Sequence, residues 1–119
     1  MKYKLPEDFK LIKNHGNGNL ISIYHKARDA YGYADSLRQA SVLISKYREN
    51  LELIKNTILP CGYDLVMYDN DISDKLSLYY NDEHILSSDK IQILLDIANK
   101  TTELDLQIKA LNEGKEIEL

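Results

Sequence analysis

Nine apolar or small residues recur at spacings of three and four without a break: Ala30, Tyr33, Leu37, Ala40, Ile44, Tyr47, Leu51, Ile54 and Ile58. An α-helix completes a turn every 3.6 residues, so this rhythm lays all nine along one side of a rod. The intervening positions carry Asp35, Arg38, Lys46, Arg48, Glu49, Glu52 and Lys55, side chains that face water. Arg48 with Glu52 and Glu52 with Lys55 stand at ion-pair spacing, each pair worth roughly a few tenths of a kcal/mol. Pro60 and Gly62 end the pattern.

The spacing predicts a helix over 33–59, about 40 Å long. A compact chain of 119 residues has a radius of gyration of about 13.5 Å and a diameter of about 35 Å. The rod spans or overshoots such a body, and its apolar edge (Leu37, Ala40, Ile44, Tyr47, Leu51, Ile54 and Ile58) needs cover along its whole length. A homodimer through this helix is the expectation; an ordinary core helix in an elongated monomer is the alternative.

On either side the pattern is more mixed. Leu20, Tyr24, Ala27 and Tyr31 continue a helical spacing with Asn17 or Asn19 as cap, which predicts a helix over 20–31 kinked at Gly32. The competing reading is a hairpin, with Phe9–Ile12 and Leu20–Tyr24 flanking the turn at His15–Asn19. Residues 63–80 change character: Tyr63–Tyr68 and Leu76–Tyr80 are aromatic and β-branched runs around an Asp/Asn-rich turn, a strand–turn–strand signature. A lone hairpin is marginal in water, so it should pack on the long helix or recruit a third strand, for which Phe9–Ile12 is available.

From Ser87 or Ser88 a further helical stripe runs through Ile91, Leu94, Ala98, Thr101, Leu104, Ile108 and Leu111, with Gly114 as its stop; this predicts a helix over 88–112. A period of two over Thr102–Ile108 opposes it and would make Asn112–Lys115 a hairpin turn. The whole reads as one domain over 1–119 of α+β class, mainly helical, with a long central helix, a C-terminal helix and a small antiparallel hairpin between them.

Composition removes several functions. The single cysteine, Cys61, allows no internal disulfide and no all-cysteine metal site, and fits a reducing compartment. The opening residues hold no apolar run of a signal peptide, and no stretch approaches the roughly 20 apolar residues of a membrane span, so the expected setting is cytoplasmic. The formal charge of -4 hides an asymmetry: residues 1–60 hold ten Lys/Arg against six Asp/Glu, while residues 61–119 hold five against thirteen. The halves therefore carry +4 and -8.

Candidate chemistry is sparse. Asp69, Asp71 and Ser73 occupy positions 1, 3 and 5 of a calcium loop, but position 6 is Asp74 where the turn needs glycine, and position 12 is Tyr80 where the ion needs a glutamate. Asx-turn hydrogen bonding accounts for the acidic cluster without an ion. His15, His25 and His84 form no zinc spacing with Cys61 or each other. His25 and Asp29 stand four apart, yet no nucleophile is nominated beside them. Cys61 sits at the unfavourable end of a helix dipole, and His15–Asn19 matches no nucleotide fingerprint. No catalytic residue, cofactor site or metal site is assigned.

Nine tyrosines against one phenylalanine and no tryptophan are the most unusual feature of the composition. Tyrosine brings rigid contact area and a hydroxyl that tolerates a wet rim. The expected function is a non-enzymatic protein-binding module, a small regulator or inhibitor, presenting Asp69, Asp71, Asp74, Tyr79, Tyr80, Asp82 and Glu83 to a basic partner. The alternatives are a nucleic-acid accessory protein using Lys10, Lys13, Lys26, Arg28, Arg38, Lys46 and Arg48, and a small enzyme.

Overall fold

The computed structural model describes residues 2–16, 18–68 and 70–119. Among them the chain forms strands β1 (Phe9–Lys13), β2 (Ile21–His25) and β3 (Ala30–Ala34), then helix α1 (Leu37–Asn56). Strands β4 (Tyr63–Val66), β5 (Leu76–Tyr80) and β6 (Glu83–Ser88) follow, then helix α2 (Ile91–Asn112). The strands make two three-stranded antiparallel sheets, ordered β1-β2-β3 and β4-β5-β6. The chain thus repeats one supersecondary unit, three meandering strands followed by a helix, and each helix starts three residues after its last strand ends.

This overturns the mainly helical expectation: 36% of the described residues are helical and 27% strand, in two sheets rather than one hairpin set between two helices. The helix expected over 20–31 is replaced by β2 and β3, which turn at Lys26–Asp29 with Asp29 in the left-handed region (φ 51°). Helical spacing at Leu20, Tyr24, Ala27 and Tyr31 lost to alternation at Ile21, Ile23 and His25, which point into the core while Ser22 and Tyr24 point out. Ala30, Gly32 and Ala34 are small because they line the inner side of an edge strand against α1 and the segment 70–72, not because they favour helix.

Helix α1 is shorter than the 33–59 predicted. Ser36 caps it: its hydroxyl accepts the Gln39 N–H at 3.1 Å, while the Gln39 side chain accepts the Asp35 N–H at 2.9 Å, a capping-box exchange one residue early. At the other end Thr57 is extended, and Ile58, at 93% exposure, lies outside the helix. The middle of the apolar stripe packs within the chain: Ala40, Ile44 and Tyr47 are buried against β2 and β3, and Leu51 and Ile54 are half-buried beside them. Leu37 is 67% exposed. The central stripe therefore needs no second copy to cover it.

In the second unit Leu94 and Ala98 of α2 bury against Leu76 and Leu78 of β5. Beyond Ala98 the helix presents Leu104, Ile108 and Leu111 at roughly half exposure. The molecule measures 66 × 29 × 23 Å with a radius of gyration of 19.3 Å, well beyond the compact value.

The two units are joined at one edge. Residue 71 forms a parallel bridge with Tyr31: the Tyr31 N–H donates to Asn70 O at 3.0 Å and the Ile72 N–H donates to Tyr31 O at 2.8 Å. Ile72 is buried over Gly32. From there the chain runs on into β5 with an alternation that holds across the joint. Ile72, Leu76 and Leu78 are buried beneath the helices, while Asp71, Ser73, Lys75 and Ser77 line one cavity on the opposite side. Both sheets therefore turn the same side to solvent, and both helices lie behind.

Candidate functional site: an open tyrosine face

On the N-terminal sheet two cross-strand rows point away from α1. One runs Lys10–Tyr24–Tyr31 and the other Ile12–Ser22–Tyr33. The Tyr24 and Tyr31 rings meet at 4.8 Å between centroids, tilted by 39°, and Tyr24 donates its hydroxyl to Asp29 at 2.8 Å. That bond, helped by burial and the Asp29 charge, raises the Tyr24 phenol above its ordinary pKa. Tyr31 is 43% exposed and Tyr33 58%, values that leave one side of each ring free for a partner.

On the C-terminal sheet the equivalent rows are Asp64–Tyr79–His84 and Val66–Ser77–Ser87. Their polar groups form a chain. His84 Nε2 lies 2.8 Å from Ser87 Oγ, and Ser87 Oγ lies 2.7 Å from Ser77 Oγ. Tyr68 lines the same cavity as Ser77 and Ser87, and its contact with Tyr79 and Ser77 lowers its phenol below the ordinary value while raising that of Tyr79. The Tyr79 ring then meets the His84 ring edge-on at 5.4 Å. A cavity of about 140 Å³ beside this chain is lined by Met67, Asp71, Ser73 and Lys75.

Four of the nine tyrosines, Tyr24, Tyr31, Tyr68 and Tyr79, thus share the helix-free side, while Tyr33, at the edge, lines a groove with Arg38 and Val42 of α1. This is the feature that sequence reasoning missed. The signal was present as alternation, since Tyr31 and Tyr33 flank Gly32 on a strand of small inward residues, but the helical reading of 20–31 hid it.

The structure divides the acidic, tyrosine-bearing set expected from the sequence. Asp71 and Tyr79 lie on the open face. Asp74 instead lines a groove of about 620 Å³ behind the joint, with Tyr33, Arg38, Val42, Lys46 and Asp89. Tyr80 points inward and stacks on Tyr63 at 4.7 Å. Asp82 and Glu83 sit in and just after the β5–β6 turn, at the end of β5 far from the joint. Asp69 lies outside the described residues. With Asp71 and Asp74 on opposite sides, the two do not converge on one point.

The cations are similarly spread. Lys10 is on the open face and Lys26 and Arg28 are in the β2–β3 turn, while Lys13 ends β1. Arg38 and Lys46 line the groove, and Arg48 lies on the other flank of α1 near Lys4 and Pro6. They mark several sides of the unit rather than one track.

His25 is structural in its surroundings. It is 3% exposed, stacked on Phe9 at 4.6 Å, with Nε2 2.9 Å from Asp8 Oδ2 and Nδ1 3.4 Å from the buried Tyr47 hydroxyl, to which Arg28 donates at 3.1 Å. Burial opposes the Asp8 charge, but the His25 bond, a backbone bond and the charges of His25 and Arg48 outweigh it and hold this carboxyl below its ordinary value. Cys61 is exposed. Among the described residues no group of three or more His, Cys, Asp or Glu is placed to hold a metal ion, and no helix is long and apolar enough to cross a membrane.

Comparison with protein families, curated proteins and solved structures returned no match.

Proposed function

We propose that this chain is a non-enzymatic binding module whose working surface is the open face of its two sheets, and that the ligand is a protein. One observation carries the reading: four tyrosines, Tyr24, Tyr31, Tyr68 and Tyr79, stand on the side that no helix covers. A tyrosine ring offers large contact area with only two side-chain torsions to freeze, and its hydroxyl keeps a partner at the exposed end. Interface centres are enriched in this residue for those reasons. The shape supports the same reading, because two edge-joined sheets backed by helices make a long, rigid platform, and elements hold contact residues more firmly than loops do.

The partner face is mixed in charge rather than acidic throughout. Lys10 stands in the row of Tyr24 and Tyr31, Asp71 and Lys75 line the cavity at the joint, and Asp64 stands in the row of Tyr79. Such a surface selects by pattern, not by net charge.

The test is retention of proteins by the immobilised chain, comparing wild type with Tyr31→Ser/Tyr68→Ser and with a helix-side control, Val42→Ser. Loss of specific retention in the tyrosine variant alone is the expected result. Equal retention by wild type and tyrosine variant overturns the reading.

A further inference from the structure

Helix α2 outruns the sheet it packs on. Its 22 residues extend about 33 Å, against about 17 Å for the five-residue strand β5. Leu94 and Ala98, in its first half, are buried against Leu76 and Leu78. The second half passes the Tyr80 end of β5, where Thr102, Leu106 and Lys109 line a cavity with Cys61 and Tyr63. Among the described residues, nothing on this helix beyond Ala98 is buried.

A second apolar line lies beside the buried one. At about 100° per residue, Ile97, Leu104, Ile108 and Leu111 fall roughly a quarter of a turn around the helix from Leu94 and Ala98. Ile97 is half-buried, while Leu104, Ile108 and Leu111 are about half exposed. The sheet that covers the first line leaves the second open.

The spacing of this second line is that of a coiled-coil seam. Ile97, Thr101, Leu104, Ile108 and Leu111 step by four, three, four and three, which sets Thr101 and Ile108 at a and the others at d. β-branched residues at a with leucine at d favour two parallel strands. The same frame puts Lys100 and Gln107 at g, and Asp105 and Asn112 at e. In a parallel pair each g residue faces the e residue five further along the other helix. Lys100 then meets the partner's Asp105 and Gln107 meets the partner's Asn112, twice each across the two-fold axis. Lys100 and Asp105 are exposed, and among the described residues neither makes an ion pair within the chain. An antiparallel pair sets e against e and brings two Asp105 carboxylates together.

We propose that α2 pairs with α2 of a second copy, parallel and in register, through this seam. The contact is separate from the open sheet face and stands whether or not that face binds a protein. The seam covers residues 97–111, a length at which an isolated helix is marginal. Here the sheet already holds the helix in shape, so association does not have to order it. A contact of this size belongs to the small, reversible end of specific interfaces.

Sedimentation equilibrium of the full chain is the experiment. Wild type is expected to pass from 13.7 kDa to twice that mass, with a midpoint on the order of 10 µM. Ile108→Glu, at a residue already about half exposed, should stay monomeric. Lys100→Glu and Asp105→Lys should each weaken the dimer about tenfold, because each turns two attractions into two repulsions. An equimolar mixture of the two should recover wild-type association, since both contacts of the mixed pair then join opposite charges. Recovery also shows that both variants are folded. Leu111→Cys in a Cys61→Ser background should form an interchain disulfide on oxidation, because equal d positions meet in the parallel register; no cross-link overturns that register. A wild type at 13.7 kDa up to about 1 mM overturns the proposal. So does a dimer that ignores the charge reversals, or one lost in Tyr31→Ser/Tyr68→Ser and kept in Ile108→Glu, which moves the contact to the sheet face.

Discussion

Gly32 and Ile72 approach so closely that a Cβ placed on the glycine would stand 2.9 Å from the Ile72 Cβ and 3.1 Å from its carbonyl oxygen. Here the two units meet, and the absence of a side chain at Gly32 lets the segment 70–72 dock against β3. One backbone contact thereby sets both sheets on the same side and creates the continuous face.

Gly32→Ala should therefore loosen the joint. The added methyl meets backbone as well as side chain, so overpacking costs about 1–3 kcal/mol. Ile72→Ala, which empties a buried site, should cost about 2–5 kcal/mol. Urea unfolding measures both. Amide exchange should also quicken at Tyr31 and Ile72, whose N–H groups make the bridging bonds.

Asp8 should give the protein an acid-sensitive component of stability. Its folded-state pKa lies below the ordinary value, so ionised Asp8 contributes stability that is fully present above the unfolded pKa of about 4 and lost as pH falls through the lower folded value. Asp8→Asn should be less stable than wild type at pH 7, with the gap closing as pH falls below about 4. Thermal unfolding across pH 2–8 checks the sign; a gap that widens on acidification contradicts it.

Asn50 lies on the buried side of α1, and among the described residues its Nδ2 has no hydrogen-bond partner. A buried, unmet donor costs about 1–3 kcal/mol. Asn50→Leu, similar in size and apolar, should raise the urea midpoint, whereas Asn50→Asp should lower it sharply by burying a charge.

Tyr31→Ser and Tyr33→Ser should leave stability within about 0.5 kcal/mol, because both rings are largely exposed and the strand's buried side is carried by Ala30, Gly32 and Ala34. For Tyr31→Ser, a loss of partner binding without a shift in melting temperature is the expected pair of results. A concurrent large drop in melting temperature would instead mark the rings as structural.

How much of this was legible residue by residue follows from the range of each interaction. The C-terminal helix runs to Asn112 because the stripe from Ile91 to Leu111 outlasts the alternation at Thr102–Ile108, and Gly114 then takes a φ of 83°. Residues 63–80 carry a strand–turn–strand signature and form β4 and β5. The start of α1 was written in Ser36 and Gln39, a signal stronger than the stripe that ran past it to Tyr33. The segment 20–34 misled because Ala, Gly and Tyr at helical spacing look alike whether they line a helix or alternate across a strand.

Local sequence determined that the chain alternates strand and helix late on, that α1 has a long apolar side, and that its halves carry opposite charge. These depend on neighbours three or four residues away and on counting. Only the tertiary structure decided that sheet covers Ala40, Ile44 and Tyr47, that the two units repeat one topology, and that four tyrosines share a face. Those outcomes turn on the meeting of Gly32 with Ile72, forty residues apart, and no periodicity within either segment encodes a contact between them.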